Sequence, residues 1–399
     1  MQKRNVGLFY FLEAILSLSG GIILPVYVLY FRLYDISLFQ IALLATIFEA
    51  TIIVFEMPTG YFADKYGRKL STLCGFFLYC ASALIFFTFR DLPGFIIAEI
   101  IFGIAETFIS GALEALAVDS IRENEKDGRL SRLFANRAVF KTSALLFGMV
   151  AAGVLAKFSL GLLFIPVIIL NAGGVGAALF LIEPKKGGSP SRKTGEELKA
   201  VKTAIFKNKS ILALFAVGIL ANFAYEPVDQ YWQVLFSEIR KFDVAYFGLL
   251  TSAGLILVVF FAKPLEKVYG KIRLYITACY LIIAVAILMT VVFPGYPAIV
   301  GIISYFALKE LVRPAISTRL NRLSQSAFRA TFLSGYNLAC SIGEVVAGLS
   351  AGLLASAMGI KFVFFFSAVS AMAVWIVYLA VDISSGSSQN VKASEHPLF

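Results

Sequence analysis

The sequence predicts an all-α polytopic membrane protein, with twelve transmembrane helices in two pseudo-symmetric six-helix halves. Three observations predict it. Hydrophobic residues make up 59% of the chain and charged ones 15%, and the mean hydropathy is +0.84. Soluble domains run about 45–50% apolar and about 25% charged, so a chain of 399 residues built this way lacks the polar surface that soluble domains need. The apolar residues also come in runs of the ~20 residues that a helix needs to cross hydrocarbon. Finally, one long polar stretch divides those runs into two equal sets.

The runs fall at about 6–31, 38–62, 70–89, 93–118, 138–157, 160–182, 210–237, 244–262, 273–293, 296–312, 330–355 and 361–382. The first begins like a signal peptide, with Lys3 and Arg4 ahead of apolar residues. It continues to Phe31, longer than a signal h-region of about 7–15 residues, and is read as an uncleaved span. The fourth and tenth runs are expected to continue as helix beyond the hydrocarbon.

Charge sets the orientation. Of the 35 Lys and Arg, only Arg32, Arg90, Lys157, Arg240, Lys241 and Lys361 fall in outer loops when the N-terminus is placed inside, and Lys141 and Lys309 lie within spans. The reverse orientation would put most positive charge outside. The expected arrangement is therefore multi-pass in the cell membrane with both termini cytosolic. The halves are 1–182 and 210–382, joined by a cytosolic linker at 183–209 and followed by a disordered cytosolic tail at 383–399. The linker is Pro-, Gly- and Lys-rich, as a surface connection should be. The single histidine, His396, lies in the tail and is excluded from any transmembrane path.

The halves look like distant repeats. Tyr34-Asp35-Ile36-Ser37-Leu38-Phe39 resembles Phe242-Asp243-Val244-Ala245-Tyr246-Phe247, and Tyr66-Gly67-Arg68 resembles Tyr269-Gly270-Lys271, each at the same connection of its half. Duplicated halves with a site between them are a known plan for membrane carriers.

Several function classes are excluded. The net charge of +10 lies in loops between spans, and no stretch reads as a nucleic-acid-binding motif. Cys74, Cys80, Cys279 and Cys340 sit singly inside apolar runs, without the spacing of a zinc or redox pair. No metal site, cofactor or catalytic constellation is expected. The glycines at Gly20-Gly21, Gly173-Gly174 and Gly348-x-x-x-Gly352 read as close helix packing and not as nucleotide loops.

The sharpest motif is Gly60-Tyr61-Phe62-Ala63-Asp64-Lys65-Tyr66-Gly67-Arg68-Lys69, between the second and third spans. It resembles the loop signature of the major facilitator superfamily, Gly-x-x-x-Asp-Arg/Lys-x-Gly-Arg-Arg/Lys, with every key position filled. The resemblance implies the major facilitator fold over nearly the whole chain, to about residue 382. The loop itself is expected to act as a gate. Gly60 would permit close approach of a helix, and Asp64 would meet the positive N-terminus of span eleven. Arg68 and Lys69 would pair with an acid at the inner end of span four, for which Asp119 is placed. The plainer reading is a turn that only anchors its two spans. A narrower resemblance, carried by Glu56-Met57-Pro58-Thr59-Gly60, Ala98-Glu99 and Ser110-Gly111-Ala112-Leu113-Glu114-Ala115-Leu116, points to the drug:proton antiporter-like branch. The match departs from that branch at Glu99, where many proton-coupled exporters carry arginine, and at span five, where Gly148 and Gly153 stand without the antiporter proline.

Ionisable residues inside spans are functional candidates. Here Glu13, Glu49, Glu56, Glu99, Glu106, Glu226, Asp229 and Glu344 face only Lys141 and Lys309 as bases. Such acidity suits a cationic substrate, protons, or both, because a desolvated carboxyl can load and release a proton near neutral pH. In the family, spans one, four, seven and ten line the path, which makes Glu13, Glu106, Glu226, Asp229 and Lys309 the first candidates for substrate or proton coupling. Pro227 between two of them is expected to kink or unwind span seven. Tyr225, Tyr231 and Trp232 supply either cation–π surface for an organic cation or, for Trp232, an outer aromatic belt. Glu49, Glu56, Glu99 and Glu344 are secondary candidates. Lys309 stands at the repeat position of Glu106, and it either bridges to Glu106 or pairs locally.

The expected function is secondary active transport by alternating access, with proton-coupled export of amphipathic or cationic small molecules. The alternatives are a symporter or uniporter for a small polar metabolite and, from another class, a non-transporting sensor or scaffold. The expected partners are a small-molecule substrate, protons or another coupling ion and the lipid bilayer, with no nucleic acid; the chain is read as a monomer.

Overall fold

The computed structural model describes residues 2–121, 126–183, 209–266, 272–323 and 329–394, and every regular element among them is helical. The first half contains α1 (Gln2–Ile23), α2 (Tyr27–Arg32), α3 (Leu38–Tyr66), α4 (Arg68–Thr88), α5 (Leu92–Ser110), α6 (Ala112–Asp119), α7 (Lys126–Ala156) and α8 (Phe164–Leu179). The second half contains α9 (Lys209–Val234), α10 (Phe247–Glu266), α11 (Ile272–Val292), α12 (Tyr296–Leu323), α13 (Arg329–Met358) and α14 (Ile360–Ser394). Eleven helical stretches among the described residues are long and apolar enough to cross a membrane. The remaining expected span lies in α12, which carries Lys309, Glu310 and Arg313 within its length.

Local sequence explains the boundaries. The first span, continuous in the sequence reading, is broken between α1 and α2 at Pro25, which has no backbone N–H to continue the ladder. The fourth is interrupted at Gly111, between α5 and α6. Span two opens on a capping box: the Ser37 hydroxyl accepts from the Gln40 N–H and the Gln40 side chain accepts from the Ser37 N–H, which satisfies two orphan donors of the first turn. Asp243 does the equivalent work before α10, accepting from the Ala245 N–H at 2.9 Å. Asp91 caps α5 by accepting from the Gly94 N–H at 3.0 Å. Span seven runs through Pro227 without a break, and α9 changes only beyond it, in a π turn at Leu235–Ile239.

The chain divides into two compact units: Met1–Pro190 with Phe236–Ser252, and Ser191–Leu235 with Ala253–Phe399. Inside the first, α1 packs on α7 and α8, and α4 packs on α5 and α8. Inside the second, α9 packs on α13 and α14, and α11 packs on α12 and α14. Spans one, three, four, five and six thus repeat the pairings of spans seven, nine, ten, eleven and twelve, as duplicated halves require.

Small residues set the closest crossings. A Cβ on Gly21 would stand 2.4 Å from the Leu145 carbonyl, and one on Gly148 would stand 2.5 Å from that of Leu18. The glycines of span five also meet the start of span eight: Cβ atoms at Gly153 and Gly248 would lie 2.2 Å from the Ala245 oxygen and 1.8 Å from the Met149 oxygen. Gly174 lies against the Phe76 ring, whereas Gly20 and Gly173 face open space. Apolar side chains from α1, α4, α5, α6 and α8, among them Phe9, Leu12, Phe76, Ile109, Leu116 and Ala178, close the core of the first unit.

Candidate functional site

The loop between spans two and three is held by a residue that its own sequence does not reveal. Gly67 ends α3 with φ 105° and ψ 148°, a conformation that belongs to glycine. The next two N–H groups open α4 and point at Glu183, whose carboxylate accepts from Arg68 at 2.9 Å and from Lys69 at 2.8 Å. An anion at a helix N-terminus is favoured by the orphan N–H groups and the helix dipole. The Arg68 guanidinium donates to the Ala115 carbonyl at 2.8 Å and to the Asp119 carboxylate, and the Lys69 ammonium donates to the Leu179 carbonyl at 2.6 Å. The loop therefore joins the ends of α3, α4, α6 and α8. Outside its own helix, no described neighbour lies within 4 Å of where the Gly60 Cβ would be. Asp64 is exposed, and the side chains of 330–334, where its expected partner begins, lie outside the described residues. So does the repeat counterpart Tyr269-Gly270-Lys271.

In the first unit, Glu13 of α1 is buried and paired with Arg137 of α7 at 2.7 Å. The same guanidinium reaches Glu114 of α6 at 2.5 Å and lies over the Phe9 ring, 5.6 Å from its centroid. This corrects the reading that the span acids face only two lysines. The apolar window for span five starts at 138, but the helix begins at Lys126, so Arg137 stands well inside it. Glu106 of α5 accepts from the Tyr79 hydroxyl of α4. Glu99, one pair of turns earlier, is buried and accepts from the Tyr27 hydroxyl of α2 at 2.5 Å. Tyr27 belongs to an aromatic group with Phe31 and Phe86. On α3, Glu49 is half-buried and Glu56 is exposed.

In the second unit, the Asp229 carboxylate of α9 receives the Tyr305 hydroxyl of α12 at 2.9 Å and pairs with the Lys309 ammonium. Tyr305 and Lys309 are four residues apart and share one face of α12. Lys309 thus takes the local partner, not Glu106. Both side chains of this pair keep some access, 27% for Asp229 and 23% for Lys309. One turn before Asp229, Glu226 accepts from the Gln230 amide at 2.8 Å. Glu344 of α13 lies within electrostatic reach of Lys309, Asp229 and Glu226. Three carboxylates from two helices thus lie within electrostatic reach of Lys309, and Glu344 is also within reach of Arg313. Tyr225 stacks edge-on to Tyr305, with centroids 5.8 Å apart. Trp232 is 3% exposed and packs against Phe306, which removes it from any lipid-facing belt, and Tyr231 is fully buried. Among the described residues, no group of His, Cys, Asp and Glu could hold a metal ion.

The residues that sequence reasoning missed are chiefly partners: Arg137, Glu183, Tyr79, Tyr27, Tyr305 and Gln230. The spacings Glu226–Gln230 and Tyr305–Lys309, four apart on a helix, were available to find two of them. Nothing near Tyr79 or Glu183 in the chain marks them, because their partners stand 27 and 115 residues away.

The comparisons with known proteins agree with this architecture. The family model described as Major Facilitator Superfamily matches residues 9–309. An uncharacterized transporter of that type from Bacillus subtilis strain 168, YxaM, is 25% identical over 94% of this chain and 96% of its own. Multidrug resistance protein 1 of the same organism is 22% identical over 99% of this chain and all of its own, 100%. Among solved structures, the nucleoside transporter NupG, in a single-site mutant form, superposes with a TM-score of 0.81 at 14% identity, covering 94% of this chain and 99% of that one. These likenesses and the helical membrane fold make the protein a transporter and not an enzyme. The chain belongs to the Major Facilitator Superfamily.

Proposed function

We propose that the protein is a secondary active transporter of the cell membrane that works by alternating access and exports cationic or amphipathic small molecules in exchange for protons. Both termini face the cytosol in this reading. The observation that carries it is the acid excess within the spans of the second unit: Glu226, Asp229 and Glu344 lie within electrostatic reach of one another, with Lys309 and Arg313 as their bases and with Asp229 and Lys309 still partly accessible. Intramembrane carboxylates in such numbers are costly unless they bind cations or protons. In the first unit Glu13 shares Arg137 with Glu114, and Glu106 accepts from the Tyr79 hydroxyl. A relative of 22% identity over nearly the full length is named a multidrug resistance protein, which supports export. The loop around Gly60, Asp64, Gly67, Arg68 and Lys69 with Asp119 acts as the cytosolic gate.

Proteoliposomes with an imposed pH gradient test this directly. Labelled organic cations should accumulate only when the gradient is present. Glu106→Gln, Glu226→Gln and Asp229→Asn preserve size but fix the neutral form, so the coupling residue among them should lose gradient dependence while retaining substrate counterflow. Transport of cations that ignores the gradient in the unmodified protein would defeat proton coupling, and gradient dependence surviving all three substitutions would remove these acids from the mechanism.

A further inference from the structure

The side chain of Gln230 carries an inconsistency that a ligand would resolve. Gln230 is 7% exposed. Its amide nitrogen donates to Glu226 at 2.8 Å, and its amide oxygen is buried with no hydrogen-bond partner among the described residues. Turning the amide over would not help, since the oxygen would then face the carboxylate and repel it. Buried acceptors in folded proteins are almost always satisfied, and leaving one unmade is costly. That bond takes one oxygen of Glu226, and Glu226 is not fully buried. Among its neighbours, Tyr305 and Lys309 donate to Asp229, and Lys309 also lies within electrostatic reach of Glu226.

We infer that Glu226 and Gln230 form a head-group subsite for cations bearing N–H donors, a primary ammonium or an amidinium, and that it disfavours quaternary ammonium ions. One N–H of the ligand meets the Gln230 oxygen and another meets the Glu226 carboxylate. These two acceptors stand four residues apart on one face of α9, linked through a single amide. A quaternary ammonium offers charge to Glu226 but no hydrogen for Gln230. Asp229 is occupied by Lys309 and serves a separate role. The inference rests on the reading of the second-unit acids as a cation site, and it adds the chemical class of the head group and the residue that selects it.

The test is isothermal titration calorimetry on the full chain in lipid nanodiscs, with phenethylammonium and its N,N,N-trimethyl analogue as the two probes. A charge-assisted hydrogen bond is worth enough to give the primary amine about a tenfold advantage in Kd. Gln230→Met keeps the length of the side chain but removes its acceptor, and should bring the ratio of the two Kd values to about one. Gln233→Met on the same helix should keep the ratio. Folding of each variant is checked by a monodisperse elution profile and by its melting temperature. Equal affinities in the unmodified protein would overturn the inference without any variant, as they would if only a buried water satisfies the Gln230 oxygen. An undiminished ratio in folded Gln230→Met would overturn it too. Failure of the unmodified protein to bind either probe would instead sink the underlying reading of a cation site, and this inference with it.

Discussion

At the scale of single residues, Gly67 has the most constrained backbone of the signature loop. Its φ of 105° and ψ of 148° lie where a side chain costs on the order of 1–3 kcal/mol. A Cβ there would also stand 3.0 Å from the Glu183 carboxylate, which caps the next helix. Gly67→Ala should therefore lower the unfolding free energy by about that amount, and transport should fall with it. Gly173→Ala is the control. Gly173 lies inside α8 with nothing within 4 Å of its would-be Cβ, and alanine in a helix interior is favoured by roughly 0.5–1 kcal/mol. Thermal unfolding in detergent should separate the two variants in opposite directions. If both shift alike, the strain assigned to Gly67 is absent. The signature glycines are thus not equivalent: Gly67 is bound by its dihedral angles, whereas Gly60 faces no described neighbour.

At the scale of helices, the contact between α7 and the start of α10 has no room for a methyl group. Residues Phe236–Ser252 belong to the first compact unit although the chain on either side belongs to the second. Three contacts hold them there: Gly153 under the Ala245 carbonyl, Gly248 under the Met149 carbonyl, and the Arg32–Glu238 pair at 2.7 Å. The pair is exposed by 30% and 40% and is worth little by itself, about 0–1 kcal/mol. The glycines matter more, because the atoms they meet are backbone and cannot turn aside. Gly248→Ala should separate α10 from α7 and reduce the yield of monodisperse protein. Gly176→Ala, which meets nothing within 4 Å, should leave the yield intact. Normal yield and transport for Gly248→Ala would mean that this crossing is looser than its geometry indicates. The glycines of span five were visible in the sequence as a pattern; the helix that they receive was not.

At the scale of the whole molecule, the order of the spans and the distribution of charge predict one topology. Reporter fusions after Phe31, Phe89 and Val292 should report the outside, and those after Lys69, Lys186 and Ser384 the inside. The expectation follows from the positive-inside rule, since the outer loops hold only Arg32, Arg90, Lys157, Arg240, Lys241 and Lys361. A consistent reversal at any one of these positions in a well-expressed fusion would overturn the assignment of twelve spans.

The sequence by itself determined the helical membrane fold, the order of its apolar runs and the signature loop. These depend on properties that are local in the chain: an apolar run long enough for a bilayer, a proline or glycine that stops a helix, a serine that caps one. It also identified the acids Glu13, Glu106, Glu226 and Asp229, because a carboxyl in an apolar run is conspicuous at any depth. Only the tertiary structure decided what each acid does with its charge. Glu13 meets Arg137 of the neighbouring α7, Glu106 and Glu99 meet tyrosines of other helices, and Asp229 meets Tyr305 and Lys309. Helices in a membrane are built from similar apolar stretches, so the stretch around a residue carries little information about which neighbour it will face. That choice is made by close packing at glycines such as Gly21, Gly148 and Gly248, and by the need of every buried polar group for a partner.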